Sequence, residues 1–259
     1  MTKLTTLLIL IFSTNLLSGQ TNKIETAHFK VKYDIEAEKY VNASLKVLEL
    51  AWTIANNNDY NIPDKIEFIV KKTDRCVLYF DRKSLKGITL EYDTMDSFNS
   101  PKQGGKNNIY GLCHELGHLC MFNTTTNKNN WMSYNFRESW ADFWGNFVID
   151  SVYAELGTDF WPNPYNYLEF SGTDYMKKRI EQNNPKILEF NKSGQFWINV
   201  NSIIGFDKMS QIFDQVNFKK VSNPDAKNEF LTALKAVSND KDIESLYNEY
   251  SDILILNNK

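Results

Sequence analysis

The sequence predicts an α+β fold with a mixed N-terminal lobe, which carries a small sheet, and a helical C-terminal lobe. Three observations support this. Short segments with the period-two alternation of strands are confined to the first 92 residues. From about residue 109 onward, apolar residues recur at the three- and four-residue spacing of amphipathic helices. Pro162 and Pro164 exclude a continuous helix just after residue 158, where we predict that the two lobes meet.

In the N-terminal lobe, the pattern predicts one helix and four strands before the first long polar loop. The helix is expected over about 37–57, where Val41, Leu45, Leu48, Trp52 and Ala55 follow helical spacing. The strands are expected at about 24–34, 66–70, 76–80 and 87–92.

The rest of the chain is predicted to be helical. Two long helices are expected at about 109–122 and 134–156, and four more at about 194–204, 206–216, 224–237 and 243–254. Asn223-Pro224 is a typical start signal, since proline is favoured at the first helical position. We therefore divide the chain into a lobe of residues 21–158 and a lobe of residues 159–259.

Residues 1–20 have the order of charge and hydropathy that is typical of a secretory signal peptide. Lys3 is followed by an apolar run over 4–12 and by the small residues Ser18 and Gly19. The run is shorter than a typical membrane-spanning helix. The alternative to a cleaved signal peptide is an uncleaved membrane anchor. We expect an exported (secreted or periplasmic) protein that has no stable membrane span once the signal peptide is removed.

The composition is that of a globular protein and argues against nucleic acid as a partner. Of the 259 residues, 42% are hydrophobic and 24% are charged, which is sufficient for a substantial core. The formal net charge is −3, and the sequence contains no basic block that could neutralise a run of phosphates.

The three cysteines, Cys76, Cys113 and Cys120, cannot all be paired within one chain. Cys113 and Cys120 are separated by about 10.5 Å along a predicted helix, which is too far for a disulfide. Cys76 could pair with either of them, and the sequence alone does not decide. We favour the interpretation that the cysteines are small buried apolar residues.

The segment His114-Glu115-Leu116-Gly117-His118 is the strongest chemical signal in the sequence. On a helix, His114 and His118 lie only about 40° apart, so both imidazoles project from one face. Glu115 lies about 80° from the middle of that face, close to a bound metal without being forced to bind it. The opposite side of the helix carries the apolar residues Leu112, Leu116 and Leu119. The spacing predicts a metal site built on one helix face.

A metal site of this kind needs a third protein ligand, and the second long helix offers one. Glu138 follows His118 after 19 intervening residues, and Asp142 comes one turn later on the same face. The opposite face carries the aromatic residues Phe136, Trp140, Phe143, Trp144 and Phe147. Both helices are thus predicted to pack through one side and to present ligands from the other.

These two segments, His114-Glu115-Leu116-Gly117-His118 and Glu138-Ser139-Trp140-Ala141-Asp142, resemble the H-E-x-x-H … E-x-x-x-D pattern of gluzincin metallopeptidases, the thermolysin-like and aminopeptidase-like clan. The resemblance implies a zincin-like fold and a zinc ion bound by His114, His118 and Glu138. It implies that Glu115 is the general base acting on a zinc-activated water, and that Asp142 orients His114. It further implies a zinc metallopeptidase whose partner is a peptide or protein substrate.

The predicted ligand set agrees with this chemistry. Three protein ligands leave a fourth zinc position open for water, as in catalytic sites. Zinc lowers the pKa of that water and polarises the scissile carbonyl, and a nearby carboxylate can move the proton to the leaving amine.

The sequence also departs from the family pattern. Thermolysin-like enzymes use a late histidine to stabilise the oxyanion, whereas this chain has none after His118. The role would pass to an arginine or a tyrosine, with the candidates Tyr134, Tyr165, Tyr167 and Tyr175. The remaining histidine, His28, is expected to be an ordinary surface or edge residue.

The resemblance implies that the strand at 87–92 is the sheet edge that pairs with the substrate backbone, with Glu91 in the edge-strand position. A second function stays open at this point, which is a catalytically silent zinc-containing binding or adhesion protein on a gluzincin scaffold. The presence of Glu115 favours the peptidase, because a binding module needs no base there.

Overall fold

The computed structural model describes residues 21–81, 87–95, 108–124, 132–157, 159–162, 177–178, 180–182, 185, 188–215, 225–238 and 241–255. Within these residues the chain forms a five-stranded mixed sheet and seven α-helices, with a helical C-terminal part. The predicted α+β fold class is confirmed. The predicted signal peptide at residues 1–20 lies outside the described residues, and the division into lobes at residue 158 stays a prediction.

The sheet has the strand order β1-β2-β3-β5-β4. The inner strands β2, β3 and β5 are parallel, whereas β1 and β4 pair antiparallel at the two edges. The strands span Thr21–Glu25 (β1), Phe29–Asp34 (β2), Ile66–Lys72 (β3), Val77–Phe80 (β4) and Gly87–Tyr92 (β5).

The prediction of a single strand over 24–34 is wrong, because this segment contains the end of β1, a turn and β2. Thr26 closes the turn. Its backbone N–H donates to the carbonyl of Phe29 at 2.9 Å, and the Phe29 N–H donates to the Thr26 hydroxyl at 3.1 Å. A side-chain hydroxyl that bonds to nearby backbone reverses the chain without glycine or proline, so the usual turn signals are missing.

The prediction that the strand at 87–92 forms the sheet edge is also wrong. β5 pairs with β3 on one side and with β4 on the other, and all six of its residues are buried. The edge strand on this side of the sheet is β4, which returns beside β5 as an antiparallel partner. β4 suits an edge because its first residue, Val77, is exposed, and Leu78 and Tyr79 are half-buried.

The helices agree with the predicted periodicity. The helix at 134–156 has its predicted bounds, whereas α4 begins at Leu188, before the predicted Gly194. The predicted helix start at Pro224 lies outside the described residues. No helix in the described part of the chain is both long and apolar enough to cross a membrane. The helices span Glu38–Asn57 (α1), Asn108–Thr124 (α2), Tyr134–Leu156 (α3), Leu188–Ile204 (α4), Phe206–Gln215 (α5), Ala226–Val237 (α6) and Asp242–Leu254 (α7).

No disulfide links Cys76, Cys113 and Cys120, which answers the question that the sequence left open. Cys113 and Cys120 are buried within α2, and Cys76 is half-buried. Burial raises the pKa of Cys113 to about 12, so its thiol is neutral and behaves as an apolar group.

α2 and α3 approach each other closely at two glycines. A Cβ atom on Gly145 would lie 3.0 Å from the backbone nitrogen of His114 and 3.1 Å from its Cα. A Cβ atom on Gly117 would lie 3.1 Å from Cβ of Trp144 and 3.3 Å from Cα of Ala141. Since backbone atoms cannot move aside as a flexible side chain can, this spacing requires residues without a side chain.

The start of α3 is held by the last turn of α7. The Ser133 hydroxyl accepts a hydrogen bond from the N–H of Phe136 at 2.9 Å and so caps α3. The same hydroxyl donates to the carbonyl of Ile253 at 2.7 Å, and the Ser133 N–H donates to the carbonyl of Leu254 at 3.0 Å. The C-terminal helices thereby determine where α3 begins.

We expect Gly145→Ala to lower the free energy of unfolding by about 1–3 kcal/mol, because the added methyl overlaps the backbone of His114. Urea denaturation measures the change. Gly111→Ala is the matched control on α2, since its Cβ would meet only the end of the Leu78 side chain, at 2.7 Å from Cδ2. An equal loss of stability in both variants would contradict the inference that α2 and α3 lie too close together at Gly145 for a side chain.

Candidate metal centre

Two imidazoles from α2 and one carboxylate from α3 converge in the structure. His114 and His118 are buried, with ring centroids 4.9 Å apart and ring planes at 90°. Oε2 of Glu138 lies 3.5 Å from Nε2 of His114 and 3.4 Å from Nε2 of His118. One ligand atom from each residue falls within 4.8 Å of the others, so this group could hold a metal ion.

The apolar sides of both helices hold this arrangement in place, as the sequence predicts. Leu112, Leu116 and Leu119 of α2 are fully buried. Trp140 and Trp144 of α3 are likewise fully buried. The three candidate ligand side chains therefore project from helices whose positions are set by core packing.

Glu138 is ionised in this environment. Burial opposes the charged form, but the hydrogen bonds and charges of His114 and His118 outweigh burial and hold the pKa of Glu138 far below its usual range. The carboxylate thus has the charge that a metal ligand needs.

Asp142 contacts His114 as the sequence predicts. Its side chain is 0% exposed, and its Oδ1 lies 3.0 Å from Nδ1 of His114. A carboxylate accepts hydrogen bonds, so Nδ1 of His114 carries a proton, and Nε2 is the ring nitrogen that faces Glu138. The effect of this contact on metal binding stays a prediction.

Tyr110 also belongs to the site, although the sequence interpretation did not include it. It lies one helical turn before His114, and its phenol donates a hydrogen bond to Oδ1 of Asp142. Its ring lies against the ring of His114 at a centroid distance of 5.9 Å. The signal was available, because Tyr110 shares the helix face of His114 and His118.

Glu115 is buried beside the edge strand β4. Its Oε2 accepts a hydrogen bond from the backbone N–H of Phe80 at 2.8 Å. The two residues are 35 positions apart in the chain. No local pattern could have indicated this contact, because it depends on where β4 lies in the sheet.

The predicted oxyanion candidates are only partly described. Tyr134 is 63% exposed at the start of α3, one turn before Glu138. Tyr165, Tyr167 and Tyr175 lie outside the described residues.

Glu91 lies on an inner strand, so the prediction that it occupies a sheet edge is wrong. Its side chain is 1% exposed on the inner strand β5. It forms ion pairs with Lys71 at 2.9 Å and with Arg75 at 2.5 Å. This carboxylate is paired with two cations that are themselves partly exposed.

His28 is more constrained than the predicted ordinary surface or edge histidine. Its ring stacks on Trp52 at a centroid distance of 3.4 Å. Its Nδ1 lies 2.5 Å from Oε2 of Glu49, which connects the turn before β2 to α1. We therefore attribute a structural role to His28.

No protein-family model matches the sequence. No curated protein matches it. Among solved structures, the chain is similar to a functionally unknown conserved protein from Bacillus anthracis str. Ames, with a TM-score of 0.45 and 10% sequence identity. The alignment covers 91% of this chain and 52% of that chain, so the chain spans about half of its length. A similarity this distant carries no argument about function.

We expect Asp142→Ala to weaken zinc binding by roughly 10- to 100-fold, because the ring of His114 loses the group that fixes its tautomer and orientation. Competition with a coloured chelator measures the affinity. Asp252→Ala is the control, since Asp252 lies on α7, is 81% exposed and pairs with Lys227 at 2.5 Å. Unchanged zinc affinity in Asp142→Ala would contradict this role.

Proposed function

We propose that the protein is a zinc metallopeptidase of the gluzincin type that hydrolyses peptide bonds in a peptide or protein substrate. The observation that carries the proposal is the convergence of His114, His118 and Glu138, with Glu115 directly after the first of these ligands on the same helix. We further propose that the protein is exported, on the basis of the pattern of residues 1–20.

The donor set supports zinc as the metal. Two imidazole nitrogens and one carboxylate oxygen are typical ligands of catalytic zinc. Ligand atoms that bind zinc tetrahedrally lie about 3.3–3.4 Å from one another. Oε2 of Glu138 is 3.5 Å and 3.4 Å from the two imidazole nitrogens, close to that spacing. Three ligands leave one position for water or substrate.

Each nearby residue has a distinct role in the proposed reaction. His114, His118 and Glu138 would hold the zinc ion, which would lower the pKa of a water molecule and polarise the scissile carbonyl. Glu115 accepts the proton from the water and delivers it to the leaving amine. The N–H of Phe80 donates to Oε2 of Glu115, and we propose that the other carboxylate oxygen carries out the proton transfer. Asp142 keeps the proton of His114 on Nδ1.

The position of β4 at an edge of the sheet supports a peptide as the substrate. The N–H of Asp81 bonds to the carbonyl of Gly87 at 2.9 Å, which marks a hydrogen-bonded pair of the antiparallel ladder. By alternation, Leu78 and Phe80 turn their N–H and C=O groups away from β5. The Phe80 N–H already donates to Glu115, so we propose that an extended peptide pairs with the outward groups of Leu78, next to this contact. The substrate-pairing role that we expected of β5 is therefore reassigned to β4.

One observation favours the second candidate function, a catalytically silent zinc-containing binding or adhesion protein. The chain has three histidines, at positions 28, 114 and 118, so no late histidine is present to stabilise an oxyanion. Digestion of a peptide library with and without a chelator separates the two functions. Chelator-sensitive cleavage supports the peptidase, and zinc binding without cleavage supports the silent scaffold.

The wild-type protein is expected to retain about one zinc per chain after dialysis. Glu138→Ala is expected to lose most of it, because two histidines alone form a weak site. Metal analysis by mass spectrometry measures the content. Glu244→Ala is the control, since Glu244 is exposed and pairs with Lys235 at 2.5 Å. A wild-type content near zero would refute the metal centre.

Glu115→Gln is expected to keep zinc and stability while peptide hydrolysis falls by at least about 100-fold, because the amide cannot accept a proton from water. Cleavage of the best library peptide measures the rate, and zinc content is determined on the same sample. A Glu115→Gln variant that cleaves as fast as the wild type would exclude Glu115 as the base.

A further inference from the structure

We propose that Tyr110 is a positioning residue of the metal centre. Its phenol fixes the carboxylate of Asp142, and through that carboxylate it fixes the ring orientation and tautomer of His114. This inference rests on the metal site proposed above. Asp142 contacts the candidate ligand His114, and Tyr110 in turn contacts Asp142.

The positions of three side chains on α2 provide the first argument. Tyr110, His114 and His118 follow one another at intervals of one turn on the same face. Residues four apart rise by about 6 Å along a helix. The centroids of Tyr110 and His114 are 5.9 Å apart, with ring planes at 43°, so the phenol continues the row of imidazoles. From this row its hydroxyl reaches across to α3.

Burial provides the second argument. Asp142 is 0% exposed, and Tyr110 is 5% exposed. A carboxylate away from water must be satisfied by donors from the protein. Two such donors are the Tyr110 hydroxyl and Nδ1–H of His114, and both bond to the same oxygen, Oδ1. Hydrogen bonds to an ionised acceptor are stronger than those between neutral groups, so the phenol restrains the position of this oxygen.

The hydrogen bond from the phenol also restrains His114. A carboxylate held by fewer donors rotates more freely about its Cβ–Cγ bond, and the imidazole bonded to it moves with it. The phenol adds a second anchor from the preceding turn of α2, which fixes Oδ1 in its place 3.0 Å from Nδ1. Nε2 of His114 then stays directed towards Oε2 of Glu138, at 3.5 Å. Tyr110 therefore acts on the ligand through Asp142 and does not bind the metal itself.

The experiment measures the zinc affinity of the full chain by chelator competition in four proteins. These are the wild type, Tyr110→Phe, Asp142→Ala and the double variant. We expect Tyr110→Phe to weaken zinc binding by about 10-fold, the lower end of the range for groups that support metal ligands. We expect the double variant to bind no more weakly than Asp142→Ala alone, because Tyr110 acts only through Asp142.

Tyr247→Phe is the matched control. Tyr247 is 2% exposed, and its hydroxyl donates to the carbonyl of Lys227 at 2.9 Å in the helical C-terminal part. This variant also loses one phenol hydrogen bond in a buried setting, and its zinc affinity should equal that of the wild type. If Tyr110→Phe behaves like Tyr247→Phe, or if the losses from Tyr110→Phe and Asp142→Ala add fully, the inference is overturned.

The outcome is distinguishable from failure of the proposed function. A wild type that binds no zinc refutes the metal centre itself, whereas a zinc-binding wild type with an unaffected Tyr110→Phe refutes only the role of Tyr110.

If Tyr110→Phe does not fold, the unaltered protein labelled with 13C at tyrosine provides the test. The Tyr110 signal, assigned through its proximity to the His114 ring, should shift when zinc is added while the Tyr247 signal does not. An unmoved Tyr110 signal overturns the inference.

Discussion

The close crossing of α2 and α3 is the constraint on which the metal centre depends. At Gly145 the helix backbones approach so closely that a methyl group would lie 3.0 Å from the backbone nitrogen of His114. Because His114 itself lies at this contact, the distance between the helices directly sets how far its imidazole is from Glu138. A wider crossing would leave the carboxylate out of reach of Nε2, from which it is now 3.5 Å away. The site is therefore a consequence of backbone packing as much as of ligand identity.

The C-terminal helices hold α3 at that crossing, although they supply none of the candidate ligands. Trp140 donates its indole N–H to the carbonyl of Gly117 at 3.1 Å, which ties α3 to α2 next to the metal centre. Trp197 of α4 donates to the Ser139 hydroxyl at 3.2 Å. The hydroxyl of Ser133 caps α3 and bonds to the end of α7. Apolar burial supplies most of the packing energy, and these polar contacts set the position of α3 along its own axis.

The balance of charge in the site gives the proposal its physical basis. Glu115, Glu138 and Asp142 bring three carboxyl groups into a largely buried space, with two imidazoles among them. Buried charges of one sign are costly unless cations or donors compensate them. Donors from Phe80, Tyr110 and the histidines compensate in part, and a divalent cation between His114, His118 and Glu138 would complete the balance. The proposed zinc ion thus has a structural role as well as a chemical one.

The sequence by itself determined the features that depend on neighbours within a few turns. Helical periodicity predicted α3 at its observed bounds. The four-residue spacing within each helix predicted that His114 shares a face with His118, and that Glu138 shares a face with Asp142. Only the tertiary structure decided that β5 lies inside the sheet and β4 at its edge, that Phe80 contacts Glu115, and that Tyr110 reaches Asp142. Strand order and contacts between elements join residues tens of positions apart, and their energies depend on burial that exists only once the chain has folded, so no local pattern encodes them.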